Sequence, residues 1–217
     1  SVRWTGPAAE TPVTNLQVRA AMNQDEVLNH FRETDALLEG HFLLSSGLHS
    51  SRYLQCAKVL SHPERAALLC RALADKVIAE VGEGGIDIVV APAMGGVVVG
   101  YEMARQLGVP GIFTERVDGE FAFRRGFELK PGARVLMAED IVTTGKSSLE
   151  CIAAINAAGG HTVAASCLID RSDGDVSLGD VPLVSLTGLK VPSFEADALP
   201  PELAAIPAIK PGSRGLK

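Results

Sequence analysis

Two spacings of apolar residues alternate along most of the chain. After Pro63, Leu69, Leu73 and Val77 recur every four residues, which predicts a helix to about Val81. Continuous apolar runs are typical of strands buried on both faces. Such strands are predicted at 86–91, 134–138, 162–169 and 181–186, with a further strand at 111–114 and helices at 97–107 and 146–158. This alternation predicts an α/β fold, with a central parallel sheet flanked by helices.

The first 60 residues do not follow this alternation. Helical spacing runs from Asn23 through Leu37 and Leu38, and Gly40 is expected to end that helix. Residues 41–58 hold two short apolar runs around a polar turn, which predicts a bent strand pair. We expect this region to form a small cap beside the sheet.

The domain organisation follows from the same patterns. Residues 1–21 show neither spacing and are interpreted as a leader or tag-like extension without chemistry. Residues 22–217 are expected to form a single domain. Its core spans about 61–190, and the cap comprises about 22–60 together with the C-terminal segment.

One apolar strand leads directly into the main candidate for chemistry. The acids Glu139 and Asp140 follow the run 134–138, and a Thr/Gly/Ser segment then precedes a predicted helix. Open α/β sheets bind ligands at the carboxyl ends of their strands, and helix N-termini favour phosphate. The predicted ligand loop comprises Glu139, Asp140, Ile141, Val142, Thr143, Thr144, Gly145, Lys146 and Ser147.

A phosphate site beside two carboxylates indicates a sugar phosphate. The hydroxyls of Thr143, Thr144 and Ser147 can donate to phosphate oxygens, while the carboxylates accept from sugar hydroxyls. Ribose 5-phosphate has both the anionic end and the hydroxyl-rich middle. Glu139 and Asp140 would also favour positive charge that develops on the sugar in the transition state.

Two other interpretations of this segment stay open. Asp and Thr favour helix N-caps and solvated turns, which would make the segment purely structural. The ending Gly145-Lys146-Ser147 also resembles a Walker-type loop, although the first glycine of that motif would fall at Asp140.

Composition narrows the class of protein. The 217-residue chain has a formal net charge of −6, which argues against a general nucleic-acid binder. No run of about 18 apolar residues occurs, so no membrane span is expected. The five histidines are scattered without ligand spacing, which disfavours a zinc site. The cysteines, expected as buried free thiols in a reducing cytoplasm, are Cys56, Cys70, Cys151 and Cys167.

The loop from Glu139 to Ser147 resembles the motif with which type I phosphoribosyltransferases bind 5-phospho-α-D-ribose 1-diphosphate (PRPP). The resemblance implies the fold of that family, a parallel sheet with flanking helices, a small N-terminal hood and a mobile loop. It also implies Mg²⁺ as cofactor, held mainly through PRPP, with no direct protein ligand.

Further stretches between residues 23 and 214 resemble orotate phosphoribosyltransferases. Residues 42–54 resemble that family's hood segment, 91–96 its diphosphate loop and 115–127 a short form of its mobile loop. The segment 168–171 and the tail 209–214 also resemble members of the family. The resemblance implies a diphosphate loop of Ala93, Met94, Gly95 and Gly96. It implies orotate contacts at Thr143, Arg171, Tyr53 and Leu54.

Arg171 suits the acceptor base on chemical grounds. Orotate is a planar anion, and a guanidinium matches its carboxylate with two parallel hydrogen bonds. Alternatively, Arg171 would be a surface arginine that pairs with Asp170 or Asp173.

The stretch 115–127 supplies cations for the departing diphosphate. These are Arg116, Arg124 and Arg125. In the family this loop closes over the partner subunit's site, so the resemblance implies a homodimer with shared sites, and Arg116 is the candidate for contacting PRPP. A plain exposed hairpin with scattered arginines is the alternative.

This sequence departs from longer-loop orotate enzymes at several positions. Their loop carries lysine and histidine, and the stretch 115–127 has neither. The family often has lysine where Gly95 and Ser45 stand here. Backbone N–H groups of Gly95 and Gly96 remain available for the diphosphate.

The predicted reaction converts orotate and PRPP into orotidine 5-phosphate and diphosphate, a step of pyrimidine nucleotide synthesis. Glu139, Asp140 and Arg116 are the predicted catalytic residues. Two alternatives stay open. One is a purine phosphoribosyltransferase, which would share the loop but neither the hood nor Arg171. The other is a regulator that binds PRPP without catalysis.

Overall fold

The computed structural model describes residues 21–44, 46–172 and 174–211, so the predicted leader at 1–21 lies almost entirely outside it. The strands are β1 (Leu37–Leu43), β2 (His49–Leu54), β3 (Ile88–Pro92), β4 (Gly111–Val117), β5 (Glu120–Phe123), β6 (Arg134–Val142), β7 (His161–Asp170), β8 (Leu183–Gly188) and β9 (Ser193–Phe194). The helices are α1 (Gln24–Arg32), α2 (Cys56–Leu60), α3 (Pro63–Val81), α4 (Gly96–Leu107), α5 (Lys146–Ala157) and α6 (Pro201–Ala204).

A six-stranded sheet in the order β5-β4-β3-β6-β7-β8 forms the centre. All neighbours pair in parallel except β5, which returns antiparallel along β4 as a hairpin. The predicted fold class is confirmed. Because β6 lies in the middle of the sheet, between β3 and β7, three strand ends converge on the segment that follows it.

Apolar clusters cover the central sheet on both of its faces. The larger cluster joins α3, α4 and the segment 22–60 to the sheet. Leu69, Leu73 and Val77, the positions that predicted α3, are fully buried in it. The second cluster places α5 on the other face, through Cys151, Ile152 and Ile155. Loops at the carboxyl ends of the strands therefore lie between two packed helical layers.

A second, three-stranded antiparallel sheet, β1-β2-β9, forms what we call the hood. Its first two strands are the predicted strand pair, and the third comes from the C-terminal part of the chain. Ile209 extends the hood, since its N–H donates to the His41 carbonyl and its carbonyl accepts from the Leu43 N–H, both at 2.8 Å. The hood is thus built from both ends of the chain.

The predicted helix to about Leu38 is wrong in its second half. The helix α1 ends at Arg32, and Leu37 and Leu38 belong to β1. Asp35 adopts a left-handed φ of 53°, and the Ala36 N–H closes the turn onto the Phe31 carbonyl. The strand β1 packs against the same core as α1, and Leu37 is buried there. Its apolar side chain therefore matched the helical spacing although it lies in a strand.

The predicted burial of the four cysteine thiols is confirmed, since all four are buried and free. Burial raises the pKa of each thiol, to about 12 for Cys70 and Cys151. Within the described ranges, no helix combines the length and apolar character needed to cross a membrane.

Candidate active site

The predicted ligand loop lies where β6 passes into α5. The strand is longer than predicted and runs through both acids to Val142. Thr143 and Thr144 follow, exposed, and α5 begins at Lys146. The first turn of α5 therefore presents its N–H groups beside the two threonines, as the sequence predicted.

Gly145 has two reasons to be glycine. Its φ is +73°, in the left-handed region. A Cβ at this position would lie 2.6 Å from Cγ1 of Val176 and 3.0 Å from Cδ2 of Leu178. The turn into α5 is thus packed tightly against the segment that follows β7.

The two acids face opposite sides of β6, since neighbouring residues of a strand alternate. Glu139 is 7% exposed, and its Oε2 accepts a hydrogen bond from the Ser148 hydroxyl on α5. Asp140 is partly buried, and its Oδ1 accepts the Ile141 N–H at 3.0 Å. Burial raises the pKa of both carboxyl groups, and for Glu139 the bond from Ser148 opposes that rise.

The predicted diphosphate loop lies directly beside Asp140. Residues 93–95 connect β3 to α4, and β3 neighbours β6. A Cβ on Gly95 would lie 3.0 Å from Oδ1 of Asp140, and a Cβ on Gly96 would lie 3.0 Å from the Ala138 carbonyl oxygen. The peptide bond from Ala93 to Met94 is cis. Small residues here let the two loops meet at one edge of the sheet.

Arg171 follows β7, on the other side of β6. The backbone N–H of Arg171 donates to the Val142 carbonyl at 2.8 Å, which ties this residue to the ligand loop. Its Nε is buried and has no hydrogen-bond partner among the described residues, and burial lowers the pKa of the guanidinium. Such a group is costly unless an anion approaches it.

Asp170 is not the partner of Arg171. One carboxylate oxygen accepts from the N–H and the hydroxyl of Ser172, and the other accepts from the Gly174 N–H. This carboxylate therefore shapes the turn after β7. Asp173, the other partner considered, lies outside the described residues.

The hood reaches the site through the end of β2. Tyr53 and Leu54 close that strand, and both are partly buried. Cys56, at the start of α2, places its thiol 3.9 Å from the Asp140 carbonyl oxygen. Its buried thiol is also close enough to the charge of Arg171 for that charge to affect its pKa. The structure thus brings the end of β2 next to the ligand loop.

The predicted cations lie on the β4–β5 hairpin, which holds Arg116, and directly after it, where Arg124 and Arg125 follow β5. Arg116 donates to Glu150 on α5 and to the Gly119 carbonyl, each at 2.5 Å. Arg125 binds both oxygens of Glu115, at 2.9 and 3.0 Å. Arg124 is exposed. Two of the three arginines therefore hold acids of their own chain in this conformation, which the sequence did not indicate.

Sequence reasoning missed three contacts at the site. Ser148 anchors Glu139, Glu150 anchors Arg116, and Cys56 joins the hood to the ligand loop. The position of Ser148 in the first turn of α5 gave a weak signal, because that turn follows the acids. Nothing in the sequence pairs Glu150 with Arg116, since they lie on elements that meet only in the folded chain.

A family model for the phosphoribosyl transferase domain matches residues 57–186. An orotate phosphoribosyltransferase of Maricaulis maris is 60% identical over 195 residues, which cover 90% of this chain and 100% of the relative.

Solved structures share the fold. A crystal structure of orotate phosphoribosyltransferase from Aeropyrum pernix matches with a TM-score of 0.60 at 24% identity, over 76% of this chain and 94% of that one. Adenine phosphoribosyltransferase from Thermoanaerobacter pseudethanolicus matches with a TM-score of 0.53 at 18% identity, over 64% and 88%. The fold therefore accommodates more than one acceptor base.

Proposed function

Because this chain belongs to the orotate phosphoribosyltransferase family, we propose that it transfers the 5-phosphoribosyl group of PRPP to orotate. The products are orotidine 5-phosphate and diphosphate. The observation that carries the choice of base is Arg171, whose buried guanidinium Nε lacks a partner among the described residues and lies one strand from the phosphate loop. A neutral purine offers no carboxylate for such a group.

Residues of the ligand loop would hold the ribose 5-phosphate. The first turn of α5 and the hydroxyls of Thr143, Thr144 and Ser147 would bind the 5-phosphate. The carboxylates of Glu139 and Asp140 would accept from the ribose hydroxyls. Their negative charge would stabilise the positive charge that develops on the sugar as diphosphate departs.

The hood and Arg171 would hold the acceptor. Arg171 would bind the orotate carboxylate so that N1 of the base faces C1 of the sugar. Thr143, Tyr53 and Leu54 would complete the contacts around the base. Exclusion of water by the covering residues would protect the cationic sugar from hydrolysis.

Mg²⁺ would enter on the diphosphate of PRPP. Among the described residues, no group of three or more His, Cys, Asp or Glu side chains is arranged to hold a metal. Mg²⁺ usually keeps several waters and binds through substrate phosphates, so the ion would be held mainly by oxygens of PRPP and by water. The ion would neutralise charge on the leaving diphosphate. Backbone N–H groups at Gly95 and Gly96 would bind its oxygens.

An acceptor panel tests the proposal. Purified protein is supplied with PRPP, Mg²⁺ and, in separate reactions, orotate, adenine, guanine or hypoxanthine. The proposal requires consumption of orotate and release of diphosphate. Turnover of a purine with none of orotate would assign the chain to the purine enzymes instead. PRPP binding by calorimetry without any turnover would favour a regulator.

We also propose a cytoplasmic homodimer in which the β4–β5 hairpin serves the partner's site. The four buried free thiols suit a reducing compartment. On α4 and the loop before it, Met94, Val98 and Tyr101 expose 83%, 48% and 71% of their surface. This apolar stripe starts in the diphosphate loop and offers an interface beside the site.

Subunit complementation tests the shared site. Asp140→Asn and Arg116→Ala should each inactivate the enzyme, and neither variant should recover alone. If the hairpin acts across the dimer, mixed dimers contain one site with both native residues. Random mixing in equal amounts then restores up to about a quarter of wild-type activity. No recovery, despite exchange shown by differently tagged subunits, would place Arg116 in its own subunit's site.

A further inference from the structure

Ser148 is a polar residue on the apolar face that α5 packs against the sheet. Its side chain is fully buried, as are those of Cys151 and Ile155 on the same face. Its hydroxyl donates to Oε2 of Glu139, which lies on β6, 9 positions earlier in the chain. This bond joins the first turn of α5 to an acid that the proposed function places at the ribose of PRPP.

The acceptor of the Ser148 hydroxyl is unusual for a serine in a helix. Such a hydroxyl often bonds a carbonyl of the preceding turn, whereas that of Ser148 reaches a carboxylate on another element. Ser166 is a useful contrast, because it is also fully buried and donates to the backbone carbonyl of Met137 at 3.5 Å. Of these two buried hydroxyls, only that of Ser148 bonds a group that the proposed reaction uses.

The charge of Glu139 depends on its neighbours. Burial raises the pKa of this carboxyl, since a buried charge loses its hydration, and the charge of Asp140 raises it further. Among the groups that lower the pKa, the Ser148 hydroxyl has the largest effect, ahead of the Ser147 hydroxyl and the charge of Arg116. The ionised carboxylate is therefore supported by Ser148 more than by any of these other groups.

Two thiols also lie close enough to Glu139 for its charge to affect them. They belong to Cys151 on α5 and Cys167 on β7, and burial raises the pKa of both. Both thiols are therefore uncharged near neutral pH and do not titrate together with the carboxyl group.

Ser147 cannot replace Ser148 once substrate is bound. Ser147 is partly exposed in the ligand loop, and its hydroxyl is proposed to donate to the 5-phosphate. Ser148 is fully buried, so its hydroxyl stays on Glu139 whether or not PRPP is present. The two neighbouring serines thus have different partners in the proposed complex.

We propose that Ser148 is a positioning residue, whose hydroxyl fixes the Glu139 carboxylate as the acceptor for a ribose hydroxyl of PRPP. This inference rests on the proposed function, in which Glu139 contacts the ribose. Ser148 itself touches no substrate. By holding Oε2, it restricts rotation of the Glu139 side chain before PRPP binds, so less entropy is lost on binding.

A purely structural Ser148 would only fasten α5 to β6. Loss of its hydroxyl would then distort the turn between them and weaken every ligand of that turn alike. A positioning Ser148 instead affects ligands that carry ribose hydroxyls. Inorganic phosphate has no ribose and suits the proposed 5-phosphate site, so comparing it with PRPP separates the two roles.

The first experiment measures, on the full chain, the Kd of PRPP with Mg²⁺ by calorimetry and the inhibition constant of inorganic phosphate against PRPP. Ser148→Ala should raise the Kd of PRPP about three- to tenfold, the range of one hydrogen bond, and leave the constant for phosphate unchanged. Ser166→Ala is the matched control, since it removes an equally buried hydroxyl, and should change neither constant. Equal weakening of both ligands, or unchanged PRPP affinity, in Ser148→Ala would overturn the inference.

A second pair of variants keeps the shape of the side chain constant. Ser148→Thr and Ser148→Val add similar bulk to the core, but only threonine keeps a hydroxyl. Ser148→Thr should therefore bind PRPP more tightly than Ser148→Val. This comparison decides the matter even if Ser148→Ala is too unstable to assay, because the cost of the added bulk is shared. Equal PRPP affinities in the pair would contradict the role of the hydroxyl.

The pH dependence of kcat/KM for PRPP provides a readout that a purely structural bond would not change. Because Ser148 lowers the pKa of Glu139, Ser148→Ala should move the acid limb of the profile to higher pH, measured from about pH 5 to about pH 9. The loss should shrink toward the alkaline end, where the carboxyl is ionised in both proteins. In Glu139→Gln, adding Ser148→Ala should cause no further shift or loss. An unshifted profile, or additive losses in the double variant, would count against the inference.

Failure of this inference and failure of the proposed reaction are distinguishable. The Kd of PRPP is measured without an acceptor base, so a lack of orotate turnover counts against the proposed reaction alone. Unchanged PRPP affinity in Ser148→Ala, with orotate turnover intact, counts against Ser148 alone. A wild-type protein that does not bind PRPP would overturn both.

Discussion

Glu139 and Asp140 are neighbours in sequence but occupy different surroundings. Glu139 points into the layer of α5, where it is buried and bonded to Ser148. Asp140 points to the opposite face, beside Gly95 of the diphosphate loop. Burial raises the pKa of both carboxyl groups. The proposed reaction needs their ionised forms, and ionisation of either group therefore lowers the stability of the fold.

Glu139→Gln should therefore increase stability while it removes activity. Since the folded-state pKa of Glu139 is raised, the difference in unfolding free energy opens as pH rises through that pKa and closes toward about pH 4. We expect a higher free energy of unfolding near neutral pH and a loss of about 100-fold in kcat/KM. Thermal unfolding over a range of pH measures the change in stability, and steady-state kinetics measure the change in kcat/KM.

Glu33→Gln is the matched control, because its effect on the free energy of unfolding should have the opposite sign. Arg65 lowers the pKa of the exposed Glu33 carboxyl, so this substitution should reduce stability at neutral pH. A lower Tm for Glu139→Gln at pH 7 would show that ionised Glu139 is stabilised by the fold, against the expectation from its burial.

Arg171→Ala should separate the two substrates. The guanidinium is the proposed partner of the orotate carboxylate, and an Nε with no partner among the described residues has little structural role to lose. We expect KM for orotate to rise about 10-fold or more, the effect of losing a charged hydrogen bond, with the Kd of PRPP nearly unchanged. Arg171→Lys keeps the charge but loses the two parallel hydrogen bonds, so its KM for orotate should lie between those of the wild type and Arg171→Ala. Equal losses for both substrates would contradict the assignment.

At the scale of elements, the turn from β6 into α5 is the most constrained part of the site. Its shape depends on Gly145, which combines a left-handed backbone with contact to Val176 and Leu178. A helix N-terminus binds phosphate only if the turn before it leaves the N–H groups free and correctly directed. The segment after β7 therefore supports the proposed phosphate site through Val176 and Leu178.

Gly145→Ala should destabilise the protein by about 2–4 kcal/mol, because backbone strain and overlap add. Gly108→Ala is the matched control: Gly108 has a similar φ of 69°, at the end of α4, with nothing within 4 Å of an added Cβ. Its cost should be about 1–2 kcal/mol. Chemical denaturation measures both. Equal costs would mean that Val176 moves aside freely.

The boundaries of α1 show where local pattern stops being informative. Leu37 continues the apolar spacing of the helix, but the chain reverses at Asp35 and enters β1. Apolar spacing reports which residues are buried. It does not report which secondary structure buries them when a strand and a helix contribute to the same core.

At the scale of the whole molecule, the hood depends on both ends of the chain. The strand β2 pairs with β9, and His41 bonds the Ile206 carbonyl and the ring of His49, each at 2.6 Å. A hairpin of two strands is marginal alone in water. The hood, which we propose covers the base, is therefore stabilised by residues far away in sequence.

A chain that ends after Val191 should keep PRPP binding and lose orotate binding. It retains the central sheet but lacks β9 and the segment that contacts β1. Hydrogen exchange should show lost protection of β1 and β2 with protection of β6 preserved. In the full chain, His41→Phe tests the same link in a smaller step. Unchanged orotate affinity in both proteins would show that the hood does not need its C-terminal partners.

Sequence alone determined the alternation of buried strands and helices, the strand–turn–helix junction that holds the predicted phosphate loop, and the family. These properties are local, because apolar periodicity and a strand–turn–helix junction are written in consecutive residues. Tertiary structure decided which partners the functional side chains have. Ser148 meets Glu139 across 9 positions and Arg116 meets Glu150 across 34. Such pairs depend on how helices pack on a sheet, so spacing along the chain does not encode them.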